Sequence, residues 1–218
     1  MDVAPFRFME CTHLLELTGV QAFDLHSLLE GLRTVSSGAI FHHTHQYMLK
    51  AQIQTPVYPN DFARWAADGL EDRVLAEKLS DLDPFAFTSI EDVRQELIRI
   101  VEDYLEHYPP PRPVLAGREF FFNDARTVVL PTALEAVDLP SFREALLRVN
   151  VSSIYFHFFQ AKLRLHRQAD DFSLWFETSL GRPDLARRLQ KIDPYMYSLE
   201  DLRLLIAAHV EAAMVQEE

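Results

Sequence analysis

Shifted by 114 positions, the N-terminal half of this sequence falls on its C-terminal half. Phe6 and Phe8 meet Phe120 and Phe122, and Asp24-Leu25 meets Asp138-Leu139. Ser27, Glu30, Leu32 and Val35 meet Ser141, Glu144, Leu146 and Val149, while Ile40, His43, Gln46 and Leu49 meet Ile154, His157, Gln160 and Leu163. With Thr18/Thr132 and Ala22/Ala136 this makes 14 identities in the 44 positions from 6 to 49, without a gap. Average composition gives roughly 6–7% by chance, or about three. The shift then becomes 110, so that Asp61, Phe62 and Trp65 meet Asp171, Phe172 and Trp175, and Asp83-Pro84 meets Asp193-Pro194. A repeat of this length constrains the fold more than any single motif, because both copies must tolerate the same local structure.

The expected organisation is a tandem duplication: a first repeat unit at 1–107, a Pro-rich linker at 108–117 and a second unit at 118–218. Each copy is long enough to own a core, and equivalent apolar patches can cover one another about a local two-fold, so a pseudo-dimer is expected. Within a unit, the aromatic alternation of Phe6 and Phe8 followed by His13–Leu17 reads as a short β-hairpin. Ser27-x-x-Glu30 and Ser141-x-x-Glu144 fit capping boxes. The stretches 38–52 and 152–165 are read as helix rather than strand. Asn60-Asp61 and Asp170-Asp171 start amphipathic helices carrying Phe62 and Trp65, or Phe172 and Trp175. Short leucine-bearing helices, Asp-Pro breaks and a long final helix complete each copy. The fold class is α+β, mainly α-helical, with about four helices in each unit.

The recurring polar residues are the candidates for function. His43/Gln46 and His157/Gln160 share a helix face at i and i+3. With Asp61 and Asp171 they form a candidate ligand-binding set at the junction of the repeats, because a carboxylate can orient an imidazole for acid–base work. The competing structural reading has each histidine bonded to Asp61 or Asp171, holding helices in register. His42, His43 and His45 offer a metal-ligating alternative, weakened because the second copy carries Phe156 and Phe159 at two of those places.

Charge divides unevenly. Residues 1–109 hold 18 acidic and 8 basic side chains, and residues 110–218 hold 15 and 13. Lys162, Arg164, Arg167, Arg187 and Arg188 form a candidate patch for an anion or an acidic partner. The formal net charge of −12 is opposite to a nucleic-acid binder's basic footprint. No apolar run is long enough for a bilayer span, no signal segment is visible, and the single Cys11 fits a reducing cytoplasm. There is no Gly-rich phosphate loop, C-x-x-C, H-E-x-x-H or G-x-S-x-G pattern, and no cofactor is implied.

Ile40-FHHTHQ-Gln46, Asn60-DFARW-Trp65, Leu82-DPF-Phe85, Arg126-TVVLPT-Thr132 and Tyr155-FHFFQ-Gln160 resemble a bacterial family of domains of unknown function. The resemblance covers nearly the whole chain and implies no particular activity. The functional expectation is a non-catalytic protein–protein interaction or accessory module with an unidentified protein partner, a homo-oligomer being admitted, and no nucleic acid or membrane. The alternative is a small-molecule- or metal-binding enzyme using the His/Asp set.

Overall fold

The computed structural model describes residues 4–45, 57–161, 163, 169–193 and 196–215. The architecture is α+β and mainly helical, and the described residues form one two-stranded antiparallel sheet. Strand β1 runs Phe6–Ala22 and β2 runs Phe120–Ala136. After β1 come α1 (Leu25–Thr34), α2 (Ser37–His45), α3 (Asp61–Asp68), α4 (Arg73–Ser80), a 3₁₀ turn at Pro84–Ala86, and α5 (Ile90–His107). After β2 come α6 (Leu139–Arg148) and α7 (Val151–Ile154), which continues into a wider π-type turn at Tyr155–Gln160. Then follow α8 (Asp171–Thr178), α9 (Pro183–Gln190) and α10 (Leu199–Val215).

The expected hairpins are replaced by these two continuous strands. No Gly, Pro, Asn or Asp lies between Phe8 and His13 to reverse the chain, so the alternation simply continues. In the other copy, Asn123-Asp124 has turn chemistry, but both residues are held extended from outside. The Asn123 N–H donates to His43, and the Asp124 carboxylate accepts from the Ser36 hydroxyl. Thr132 Oγ1 donates to the Phe8 carbonyl and Thr18 Oγ1 to the Phe122 carbonyl. Numbering therefore falls along β2 as it rises along β1.

The chain forms two compact units. The first takes Met1–Thr12 with Thr127–Glu218, and the second is His13–Arg126. The expected 1–107 and 118–218 units divide the sequence; the compact units divide inside the strands. The second unit is built around Leu28, Leu32, Ile40, Phe62, Leu75, Val93, Leu97 and Phe122, each 1% exposed or less. Gly31 of α1 lets Phe122 seat there, because a Cβ would stand 2.3 Å from its ring. The first unit centres on Phe8, Phe142, Phe172, Phe176, Leu185 and Ile206, all fully buried. Each such large apolar side chain contributes about 1.5–3 kcal/mol on burial.

Caps fix the helix starts. Asp24 accepts from the Ser27 amide at 2.7 Å, and the Ser27 hydroxyl accepts from the Asp24 amide at 3.0 Å. Asp138 and Ser141 repeat the arrangement. The capping boxes thus begin one turn earlier than Ser27-x-x-Glu30 and Ser141-x-x-Glu144 suggest, because a carboxylate at the N-cap accepts the serine amide and meets the positive end of the helix dipole, while the serine hydroxyl takes the cap's own amide. Asn60 caps α3, with Oδ1 accepting from the Ala63 amide and Nδ2 donating to the Leu79 carbonyl, both at 2.8 Å.

Candidate functional site

In the second unit, α2 carries His43 and α3 begins at Asp61. Their side chains meet with Nδ1 2.9 Å from Asp61 Oδ2, and His43 Nε2 accepts the Asn123 backbone N–H at 3.0 Å. A backbone amide can only donate, so Nε2 must offer its lone pair. The one ring proton of a neutral imidazole then sits on Nδ1 and points at the carboxylate. The ring is 5% exposed, with centroids 4.7 Å from Phe120 and 5.6 Å from Phe62.

The first unit repeats this geometry with its own residues. His157 Nδ1 lies 2.7 Å from Asp171 Oδ2, and Nε2 accepts the Met9 N–H at 2.8 Å. The ring centroids of Phe6 and Phe172 lie 4.8 and 5.5 Å away. In both units the imidazole joins a strand amide to a helix-start carboxylate. A tryptophan adds a second tie: Trp65 Nε1 donates to the Arg118 carbonyl at 2.8 Å, and Trp175 Nε1 to the Ala4 carbonyl at 2.7 Å.

The other candidate residues separate. Gln160 is buried and reaches Thr127 Oγ1 at 3.4 Å, a long hydrogen bond. Gln46, Lys162, Arg164 and Arg167 lie outside the described residues. Arg187 and Arg188 lie in the last turn of α9, and Arg188 helps to lower the pKa of His209, after burial of that ring. His45 turns away from the other histidines, 1% exposed, its ring stacked 5.2 Å from Phe41 and its Nδ1 2.8 Å from Thr44 Oγ1. Burial pushes its pKa down to about 3, which keeps it neutral.

Among the described residues, the metal-compatible cluster is therefore His42, His43 and Asp61, with ligand atoms within 4.8 Å of one another, rather than His42, His43 and His45. Its weakness is His43. Nε2 already serves Asn123 and Nδ1 carries the proton, so coordination through either nitrogen requires breaking the latch.

Each latch floors a cleft. The second unit's has a volume of about 670 Å³ and includes His42, Arg64, Asp68, Arg118 and Asn123 in its walls. The first unit's is about 480 Å³ and has Met9, Phe156, Leu174 and Thr178 in its walls, with Arg7 beside them. Asp61 connects floor and wall, since its Oδ1 accepts from Arg64 at 2.6 Å. Arg64, Asp68, Arg118 and Asn123 carried no signal in the repeat comparison, because their counterparts are unlike. The strand amides that fix the imidazoles are backbone groups and leave no mark in a side-chain pattern.

The chain belongs to DUF5752, a family of unknown function, whose profile matches residues 3–211. It is similar to the solved structure of OrfY from Thermoproteus tenax, at 31% identity and a TM-score of 0.82 over 98% of this chain and 97% of that one. No curated protein matches it. Among the described residues, no helix is long and apolar enough to cross a membrane.

Proposed function

We propose that this protein is a non-catalytic accessory module of the cytoplasm that acts by binding a protein partner. The observation that carries the reading is the occupation of both ring nitrogens in both latches. A general base needs an available lone pair, and a metal ligand needs the same. His43 and His157 spend theirs on the amides of Asn123 and Met9. The latch recurs in the first unit, where Phe156 stands in the place of His42, so its chemistry is sufficiently explained by holding a helix start to a strand.

The binding side of the reading is supported by β1. Leu14, Leu15 and Leu17 are 53%, 60% and 87% exposed, on a strand that has one neighbour in its sheet among the described residues. An apolar strand with an open edge is a template for another chain. A tandem duplication packed as a pseudo-dimer is part of the same proposal. It is supported by the paired Asp–Ser caps, His–Asp latches and Trp-to-carbonyl bonds at matching positions.

The test is affinity capture at native expression level, alongside light scattering of the purified chain. The reading expects a stoichiometric partner that is retained by the wild type and lost from Leu15→Glu and Leu17→Glu. Capture of no partner by the wild type, or capture unaffected by both changes, overturns it.

A further inference from the structure

The two clefts share a floor but not their walls. At matching positions His42, Arg64, Asp68 and Asn123 of the second unit stand where the first has Phe156, Leu174, Thr178 and Met9. The first unit shows that the latch, the tryptophan and the strand can close with a largely apolar wall. Packing therefore does not require the polar set.

Asn123 makes the point most sharply. Its backbone amide serves His43, yet its side-chain Oδ1 is buried without a hydrogen-bond partner. A buried acceptor left unsatisfied is destabilising, and a methionine at that place carries no such penalty. Nearby walls carry both signs of charge. The Arg64 and Arg118 side chains are 60% and 51% exposed, and each spends part of its donor fork on Asp61 or Glu71. Asp68, exposed on α3, and Glu119 add carboxylates. A simple anion would meet these acids, and a simple cation the two guanidinium groups.

We propose that this cleft binds a small zwitterion, a free α-amino acid or a close amino-carboxylate relative. Its ammonium group donates to the Asp68 carboxylate. Its carboxylate is taken by the Arg64 and Arg118 guanidinium groups, whose planar forks suit a carboxylate. Trp65 and Phe121 supply apolar surface to the rest of the molecule. The volume lies in the range of small-molecule sites. This proposal is independent of whether a protein partner binds the exposed strand.

The test is calorimetric titration and thermal shift of the full chain with each of the standard amino acids, and with the N-acetyl and amide derivatives of any that bind. The expected result is submillimolar binding of one amino acid or a related group, weakened at least about tenfold by blocking either end. Asp68→Thr and Arg64→Leu, which install the first unit's own residues, weaken binding at least about tenfold without lowering the melting temperature. Arg118→Gln, at an exposed position, provides the same readout should either of those fail to fold. Absence of binding by every amino acid overturns the proposal. So does equal binding of the blocked derivatives, or wild-type affinity in the folded variants.

Discussion

Replacing Asp170 with asparagine should stabilise the protein above neutral pH and remove one component of its pH dependence. Asp170 caps α8 in the place where Asn60 caps α3, and it is 3% exposed. Burial pushes its pKa up to about 6 from 3.8, despite hydrogen bonds from the Ser173 amide at 2.8 Å and hydroxyl at 2.5 Å. At about 1.36 kcal/mol for each tenfold change in affinity for the proton, that difference corresponds to about 3 kcal/mol. The folded value is the higher one. Between pH 4 and 6 the unfolded chain has therefore released a proton that the folded chain retains, and stability contributed by this group falls as pH rises. Above pH 6 both states are ionised and the whole cost of burying the charge is present.

Asparagine keeps the Oδ1 acceptor for the Ser173 amide and carries no charge. It gives up the acceptor for the Ser173 hydroxyl, which costs about 1 kcal/mol, although that hydroxyl already lies 3.4 Å from the Ala186 carbonyl. Asp170→Asn should therefore be about 2 kcal/mol more stable than wild type at pH 7.5. It should be slightly less stable at pH 4, so the difference between the two proteins changes by about 3 kcal/mol. Urea unfolding of both across this range measures it, and taking the difference cancels the other carboxylates. A variant less stable than wild type at pH 7.5, or a difference constant with pH, would show that Asp170 carries no such burial cost.

Two further outcomes follow from the cores. Phe122→Ala should cost about 3–5 kcal/mol, because a fully buried ring leaves a cavity beside Gly31; denaturant unfolding measures the loss. Cys11 donates to the Ser152 carbonyl at 3.5 Å, and burial pushes its pKa up to about 12, so the native thiol should react with Ellman's reagent at pH 8 far more slowly than the unfolded chain.

The helical parts of the fold were legible because their signals are local. Asn60 precedes an amphipathic run, and the 3.6-residue spacing of Phe62, Trp65 and Ala66 marks its buried face. Asp61 and Asp171 were readable as partners of His43 and His157, and both contacts are present. The continuous strands were not legible. Their pairing joins Phe8 to Thr132 and Thr18 to Phe122, residues more than a hundred positions apart, and short windows suggest a nearby reversal instead. The identity of each Nε2 donor was hidden for a different reason: Asn123 and Met9 share no side-chain chemistry, and only their amides do the work. The unlike cleft walls were hidden by the repeat itself, since a search for identities passes over the positions where two copies part.

Imidazole ¹⁵N NMR reaches the core of this account. With His43 and His157 assigned, both rings should carry their proton on Nδ1, and Nε2 should show hydrogen-bond coupling to the amides of Asn123 and Met9. A proton found on Nε2 in either ring, or an Nε2 without that coupling, would contradict the claim that these histidines are tied into the framework and leave them open to chemistry.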